Sequence, residues 1–254
     1  MVSEGPPQFR LPVSAADSPN IVVIFCDDLG YGDLSWFGHP TIKTPHRDRM
    51  AAEGVKLTQF YSVFPVRTPS RVTLMTGRLP IRSGTCSNKL RLLFPNSGGV
   101  IPASEITLAE ALKEQRYATT CLGKSHLGHL PQFLPTSNGS GSCFGIPYSN
   151  GMDRVNDVPR GRAAFWDPKT EYWNVSLLRN LEELERPAEQ TTTTRRYTEE
   201  VVSFVEKNRD GKFFVYLPHS LPHVPLFRSK ASFSDFDECR QSESQTDQRA
   251  GDDR

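Results

Sequence analysis

The chain has 254 residues, of which 37% are hydrophobic and 23% are charged, and its formal net charge is +1. This length and composition suit a soluble globular protein with one large α/β domain or two small ones. The near-zero charge gives no reason to expect nucleic acid or an anionic membrane as a partner. No stretch is long and apolar enough to span a membrane. Residues 1–19 lack the apolar segment of a signal peptide, and none of the five cysteines forms a CxxC pair that would indicate zinc.

The N-terminal quarter predicts a leader, a strand, a helix and a second strand. Residues 1–18 are polar and contain prolines, which indicates a flexible leader. Residues 20–27 form a short β-branched run that is typical of a buried parallel strand. Thr44 followed by Pro45 is a helix start, with Thr as N-cap and Pro at the first helical position, and Gly54 is its stop. Residues 55–60 predict another strand.

Two further helix starts follow. Thr68 and Pro69 repeat the cap-then-proline pattern, and Gly77 is a suitable stop for that helix. Thr107 and Glu110 have the spacing of a capping box, in which each side chain accepts a hydrogen bond from the backbone N–H of the other residue.

Strands and a long helix are predicted in the second half. Residues 118–122 and 213–217 are apolar runs of strand length, and residues 193–208 have an apolar face at helical spacing. Residues 123–192 are rich in Gly, Pro and Ser and predict long ordered loops. The alternation of strand and helix predicts an α/β fold with a mostly parallel sheet and helices on both faces. We expect one domain over residues 19–228, followed by a polar, disordered tail.

Charged and imidazole side chains follow several of the predicted strands, where the active sites of open α/β sheets lie. Each residue alone has a plainer explanation: paired aspartates form turns, single histidines are often buried polar groups, and basic residues are often surface charges. Their joint placement at strand ends and at a helix start favours a common site. The set comprises Asp27, Asp28, Arg71, Lys124, His126, His219 and His223.

The types of charge narrow the chemistry. Adjacent carboxylates supply the hard oxygen ligands that Ca²⁺ and Mg²⁺ prefer. Arginine, lysine and histidine around such a site suit a tetrahedral oxyanion, because positive groups stabilise the charge that develops on its oxygens. Sulfate and phosphate esters are therefore the candidate substrates.

Several long segments resemble the sulfatase family, in particular arylsulfatases of the A type. Residues 20–34 (NIVVIFCDDLGYGDL) resemble the family's opening strand and metal loop. Residues 65–84 (PVRTPSRVTLMTGRLPIRSG) resemble the signature that usually begins C-T-P-S-R. Residues 123–136 resemble the G-K-W-H-L-G segment, and residues 213–227 match a later one. The resemblance covers about residues 19–228 and implies the fold shared by sulfatases and alkaline phosphatases.

The resemblance also implies a mechanism and roles. In that family the signature cysteine becomes formylglycine, whose hydrate attacks sulfur, releases the alcohol and then eliminates sulfate. Asp27 and Asp28 would be calcium ligands, and Arg71 would hold the formylglycine. Lys124 would contact the sulfate, and His126 would orient the hydrate.

The remaining implications concern the substrate and the compartment. His223, in a His-Val-Pro context, would lie on the leaving-group side and, with Lys124, contact a small-molecule or glycan sulfate ester. The family suggests a lysosomal or extracellular location, and the sequons at Asn138 and Asn174 are candidate glycosylation sites. No oligomeric state is predicted.

The departures from the family pattern predict an impaired enzyme. Arg67 stands at the position of the signature cysteine, and a guanidinium cannot become formylglycine. Ser125 stands where the family usually has tryptophan. The family's later calcium ligands, an Asp-Asn pair, and a second lysine have no counterpart in this chain. We therefore expect a C-terminally truncated or damaged copy of an arylsulfatase, with half of its calcium site and little or no activity.

Two alternatives stay open. The first is a non-catalytic protein that binds sulfate esters through Arg71, Lys124 and His126. The second is a phosphatase-like hydrolase that uses the hydroxyl of Thr68 or Ser70 as its nucleophile.

Overall fold

The computed structural model describes residues 18–86, 101–159, 164–165 and 168–229. The predicted leader and the predicted tail lie outside these residues, apart from residues 18 and 229. Within the described ranges no helix is both long enough and apolar enough to cross a bilayer.

One six-stranded sheet organises the described residues, in the order β1-β6-β2-β3-β4-β5. The first four strands in that order run parallel, and β4 and β5 are added antiparallel at one edge. This arrangement confirms the predicted, mostly parallel sheet. The strands are β1 (Ile21–Asp27), β2 (Ala118–Leu122), β3 (Ser142–Gly145), β4 (Leu177–Arg179), β5 (Glu182–Glu185) and β6 (Phe213–Pro222).

Helices cover both faces of the sheet, as predicted. Alternate residues of β6 point to opposite faces, so Phe213 and Val215 pack in one apolar cluster and Phe214 and Tyr216 in the other. The helix α4 covers the first cluster, and α2 and α3 cover the second. The helices are α1 (Pro45–Glu53), α2 (Arg67–Thr76), α3 (Leu108–Glu114) and α4 (Thr193–Lys207).

Local signals place several helix ends correctly. The capping box is present: the backbone N–H of Glu110 donates to Thr107 Oγ1 at 3.1 Å, and that of Thr107 donates to Glu110 Oε2 at 2.7 Å. Helix α1 begins at Pro45 and ends before Gly54, and Gly77 ends α2 in the left-handed conformation with φ 66°.

Three local predictions are wrong. Helix α2 begins at Arg67 with Val66 as N-cap, because the Thr68 side chain is buried and donates to the His126 carbonyl oxygen instead of capping. Residues 55–60 are not a strand, and their side chains are exposed with no described strand beside them. Residues 123–192 contain three short strands in addition to loops, since β3, β4 and β5 extend the sheet edge that β2 begins.

The register brings three strand ends together. Ile21 of β1 lies opposite Phe214 of β6, and Asp27 lies opposite Pro222. Strand β2 pairs with β6 on its other side, with Cys121 opposite Tyr216. Because these strands are parallel, the residues that follow them meet at one edge of the sheet.

A glycine allows the chain to turn at the end of β2. Gly123 has φ 137°, a conformation that residues with a side chain rarely adopt, and a Cβ atom there would overlap the carbonyl oxygen of Pro218. The next residue, Lys124, donates its backbone N–H to that same oxygen at 2.7 Å. Close contact between the two strands therefore requires glycine at this position.

We predict that Gly123→Ala lowers the free energy of unfolding by about 3 kcal/mol or more, because both the conformation and the contact become unfavourable. Gly211→Ala is the matched control, since the nearest heavy atom to an added Cβ is 3.8 Å away. Urea unfolding followed by circular dichroism measures both. Equal losses in the two variants would contradict the prediction.

Candidate functional site

The centre of the candidate site is a buried carboxylate between two buried cations. Asp27, the last residue of β1, is 5% exposed, and Arg71 and Lys124 are fully buried. The Lys124 ammonium contacts Asp27 Oδ2 directly, and Arg71 Nη2 lies 3.5 Å from Asp27 Oδ1. Buried charges need such partners, because an isolated ion would lose its hydration without compensation.

The cations are positioned by the fold as well as by the carboxylate. Arg71 lies in the second turn of α2, and its Nη1 atom donates to the carbonyl oxygen of Lys124 at 2.8 Å. Lys124 is in turn fixed to β6 by its backbone hydrogen bond to Pro218. Helix α2 is thereby tied to the ends of β2 and β6.

Two polar residues that the sequence did not single out complete the cluster. The Lys124 ammonium donates to Ser149 Oγ at 3.2 Å, and that hydroxyl donates to Asn150 Oδ1 at 3.3 Å. The Asn150 amide donates to the carbonyl oxygens of His223 at 3.4 Å and Pro225 at 3.0 Å. Both residues follow β3, so the same strand-end argument could have found them if β3 had been recognised.

Arg67 reaches the site from the first position of α2. Its Nη2 atom contacts His223 Nε2 directly. Since a guanidinium only donates, Nε2 must be the accepting nitrogen, and the imidazole proton is assigned to Nδ1. Asp28 Oδ2 lies 3.7 Å from the same nitrogen, and the Asp28 side chain is 64% exposed.

Asp28 and Arg67 border an open cavity of about 270 Å³. Its lining includes Asp27, Asp28, Arg67, Ser70 and Arg71. The polar groups of the lining therefore include two carboxylates, two guanidinium groups and the hydroxyls of two serines, with Lys124 directly behind Asp27.

Burial and neighbouring charges set the protonation states. Burial raises the pKa of Asp27, but Lys124 and Arg71 outweigh that effect and hold it below its usual range. Burial lowers the pKa of Lys124 to about 8, against the opposing attraction of Asp27. Burial, followed by the charges of Lys124 and Arg67, lowers the pKa of His223 to about 4. At neutral pH the carboxylate is ionised and the imidazole is neutral.

None of the three predicted histidines is among the residues that line this cavity. His126 is fully buried, has φ 53° and donates its backbone N–H to the Pro147 carbonyl oxygen at 3.2 Å. His219 borders a different cavity of about 520 Å³, beside Cys26 and Arg47. His223 therefore reaches the cavity through its contact with Arg67, whereas His126 is buried elsewhere and His219 borders the other cavity.

The two alternative nucleophiles are engaged in other hydrogen bonds. Thr68 Oγ1 donates to the His126 carbonyl oxygen at 3.2 Å, and Ser70 Oγ lies 2.7 Å from Ser62 Oγ. Neither a carbonyl oxygen nor another hydroxyl can act as the general base that a hydroxyl nucleophile needs. These contacts give no support to the phosphatase-like alternative.

The two sequon asparagines are half-buried. The Asn138 amide donates to the Leu134 carbonyl oxygen at 3.0 Å. The backbone N–H of Asn174 donates to the Asp153 carbonyl oxygen at 2.7 Å. Glycosylation stays a prediction at both positions.

The described residues do not fit a calcium site. Calcium takes about 6–8 oxygen ligands, and both oxygens of Asp27 already face cations of the chain itself. In the part of the chain that the structure describes, no group of three or more His, Cys, Asp or Glu side chains could hold a metal ion. Asp27 and Asp28 are thus the only predicted calcium ligands present, and one of them is engaged elsewhere.

Comparison with known proteins gives consistent matches. A sulfatase family model matches residues 19–252. The N-acetylgalactosamine-6-sulfatase of Mus musculus is 37% identical over 228 residues, which cover 87% of this chain and 43% of that protein. Arylsulfatase A of Bos taurus is 49% identical over 140 residues, which cover 54% of this chain and 27% of that protein. The crystal structure of Ps i-CgsB in complex with k-i-k-neocarrahexaose aligns with a TM-score of 0.67 and 31% identity, covering 82% of this chain and 46% of that one. The chain therefore spans less than half the length of each of these relatives.

The neutral state of His223 predicts a pH dependence of stability. Below its ordinary pKa of about 6.5 the unfolded chain binds a proton that the folded chain does not bind until about pH 4. The free energy of unfolding should therefore decrease as the pH is lowered across that window, by on the order of 1–2 kcal/mol between neutral and mildly acidic pH. Urea unfolding at both pH values should show a smaller decrease in the free energy of unfolding for His223→Gln than for the wild type. The exposed His46→Gln serves as the control and should behave like the wild type; a full pH dependence in His223→Gln would refute the assignment.

Proposed function

Because this chain belongs to the sulfatase family, we propose that its cavity is a sulfate-ester site whose nucleophile position is held by Arg67. The observation that carries the proposal is the Arg67 guanidinium, which lies in the cavity and contacts His223. Arginine stays protonated in proteins and offers no electron pair for attack on sulfur. The chain would therefore bind sulfate esters without cleaving them.

The charges at the cavity support a tetrahedral oxyanion as the ligand. Arg71 and Lys124 are buried and held in place, so they lose little freedom when an anion binds. Hydrogen bonds from such cations to an anionic oxygen are shorter and stronger than those between neutral groups. We assign Arg71 the role of a sulfate contact, supported by the charge of Lys124 behind Asp27, and place His223 on the side of the esterified alcohol.

The relatives support a sugar as the esterified alcohol. One is an N-acetylgalactosamine-6-sulfatase, and another was crystallised with the oligosaccharide k-i-k-neocarrahexaose. A glycan sulfate ester is therefore the proposed ligand class, with a small aryl sulfate as its laboratory substitute. The same family likeness supports a lysosomal or extracellular location.

Hydrolysis in this family would require a converted cysteine and a complete metal site. This chain has neither among its described residues: residue 67 is arginine, and Asp27 is paired with Lys124 and Arg71. Sulfate-ester hydrolysis is thus the activity of the family that we propose this chain has lost, while the oxyanion pocket remains.

We predict that the full chain binds a fluorogenic aryl sulfate but shows no turnover above a protein-free blank. Sustained turnover by the wild type that disappears when the charge of Lys124 is removed would contradict the proposal. Such turnover would require a nucleophile other than residue 67. Isothermal titration calorimetry and a fluorescence assay on the same preparation supply the two measurements.

A second prediction concerns restoration of the signature. Arg67→Cys, co-expressed with a formylglycine-generating enzyme, should acquire the aldehyde in mass spectrometry. Activity should still stay on the order of 10²–10³-fold or more below that of an active arylsulfatase, because Asp27 faces Lys124 and Arg71 and is not free to hold a metal ion beside the new nucleophile. Arg67→Ser, expressed in the same way, is the control without the convertible thiol. Robust hydrolysis by Arg67→Cys would show that residue 67 alone accounts for the loss.

A further inference from the structure

The cavity carries more positive than negative side chains. Arg67, Arg71, Asp27 and Asp28 line the cavity itself, and Lys124 adds a third cation from the buried cluster behind Asp27. The nearest imidazole, that of His223, carries no charge at neutral pH, because its Nε2 atom accepts a hydrogen bond from Arg67. One positive charge is therefore left without a carboxylate to balance it.

Distances identify which cation is in excess. Arg71 and Lys124 both pair with Asp27. Among the residues that the structure describes, no carboxylate oxygen lies within ion-pair distance of Arg67, whose guanidinium contacts only the neutral ring of His223. Arg67 is half-buried, so water compensates it only in part. A half-buried cation with no carboxylate in direct contact favours the binding of an anion.

The position of Arg67 on its helix points the same way. Arg67 opens α2, and Arg71 lies one turn further along the same face, so both guanidinium groups border the cavity. The start of a ten-residue helix also carries partial positive charge from its free backbone N–H groups. Both contributions come from the chain itself.

We propose, building on the function above, that this cavity binds the sulfate group without a divalent cation, with the Arg67 guanidinium supplying the positive charge. In this arrangement Asp27 is a positioning residue: it holds Lys124 and Arg71 instead of a metal ion. Arg67 then serves as a ligand for the oxyanion. With arginine in place of the family's cysteine, the site binds a sulfate ester and does not cleave it.

The test is calorimetric titration of the full chain with sodium sulfate, once in excess EGTA and once in excess calcium chloride. We expect the same dissociation constant, within about twofold, in the two buffers. Arg67→Gln removes the charge but keeps a donor for His223, and it should weaken sulfate binding roughly tenfold or more, the usual scale for a lost charge-assisted hydrogen bond. Arg67→Lys keeps the charge and should retain most of the affinity.

Arg209→Gln is the matched control. Arg209 is exposed and precedes β6, whereas the cavity lies beyond the other end of that strand, so this variant should bind sulfate like the wild type. Thermal melts of all variants separate lost binding from lost folding. If Arg67→Gln unfolds at a lower temperature than the wild type, the affinity of Arg67→Lys and the comparison of the two buffers still test the proposal.

Each outcome bears on a different claim. Binding that appears only with calcium, or an unchanged affinity in folded Arg67→Gln, overturns the metal-independent site while leaving sulfate-ester binding in place. No sulfate binding in either buffer overturns the proposed function itself. Equal binding in both buffers, lost in Arg67→Gln and kept in Arg67→Lys, supports the inference.

Discussion

The ionised carboxylate of Asp27 is the constraint around which the site is built. It lies at the end of β1 and is paired with Lys124, which follows β2, and with Arg71 on α2. Removing one member of a buried ionic cluster typically costs about 3–5 kcal/mol, because the remaining charges lose their compensation. These three residues therefore depend on one another, and the strand ends and helix that carry them are held in a fixed relation.

In the oxyanion site that we propose, that cluster fixes two of the cations independently of residue 67. Arg71 and Lys124 are held by Asp27, by main-chain hydrogen bonds and by Ser149, none of which involves residue 67. Arginine at position 67 therefore adds a charge to the cavity and leaves its frame intact. The charge of Arg67 acts on His223, where it adds to the effects of burial and of Lys124 in lowering the pKa of the imidazole.

The balance between carboxylates and cations also bears on the metal-free sulfate site that we propose. A carboxylate can face a metal ion or an ammonium group, but the same oxygens cannot compensate both fully. Here the oxygens of Asp27 face Lys124 and Arg71, while Arg67 adds a cation of its own. The aligned part of this chain covers less than half the length of the relatives that it matches.

The sequence by itself determined the elements with strong local signals: β1, β2 and α4 from apolar patterning, and the start of α3 from its capping box. It also predicted that Asp27, Arg71 and Lys124 would converge, because residues at the ends of parallel strands share one edge. Strands β3 to β5 were missed, since runs of three or four residues carry no periodicity and form only beside an existing edge. The Arg67 contact with His223 was likewise decided by tertiary structure: it joins positions 156 residues apart, and only the packing of α2 against the end of β6 makes them neighbours.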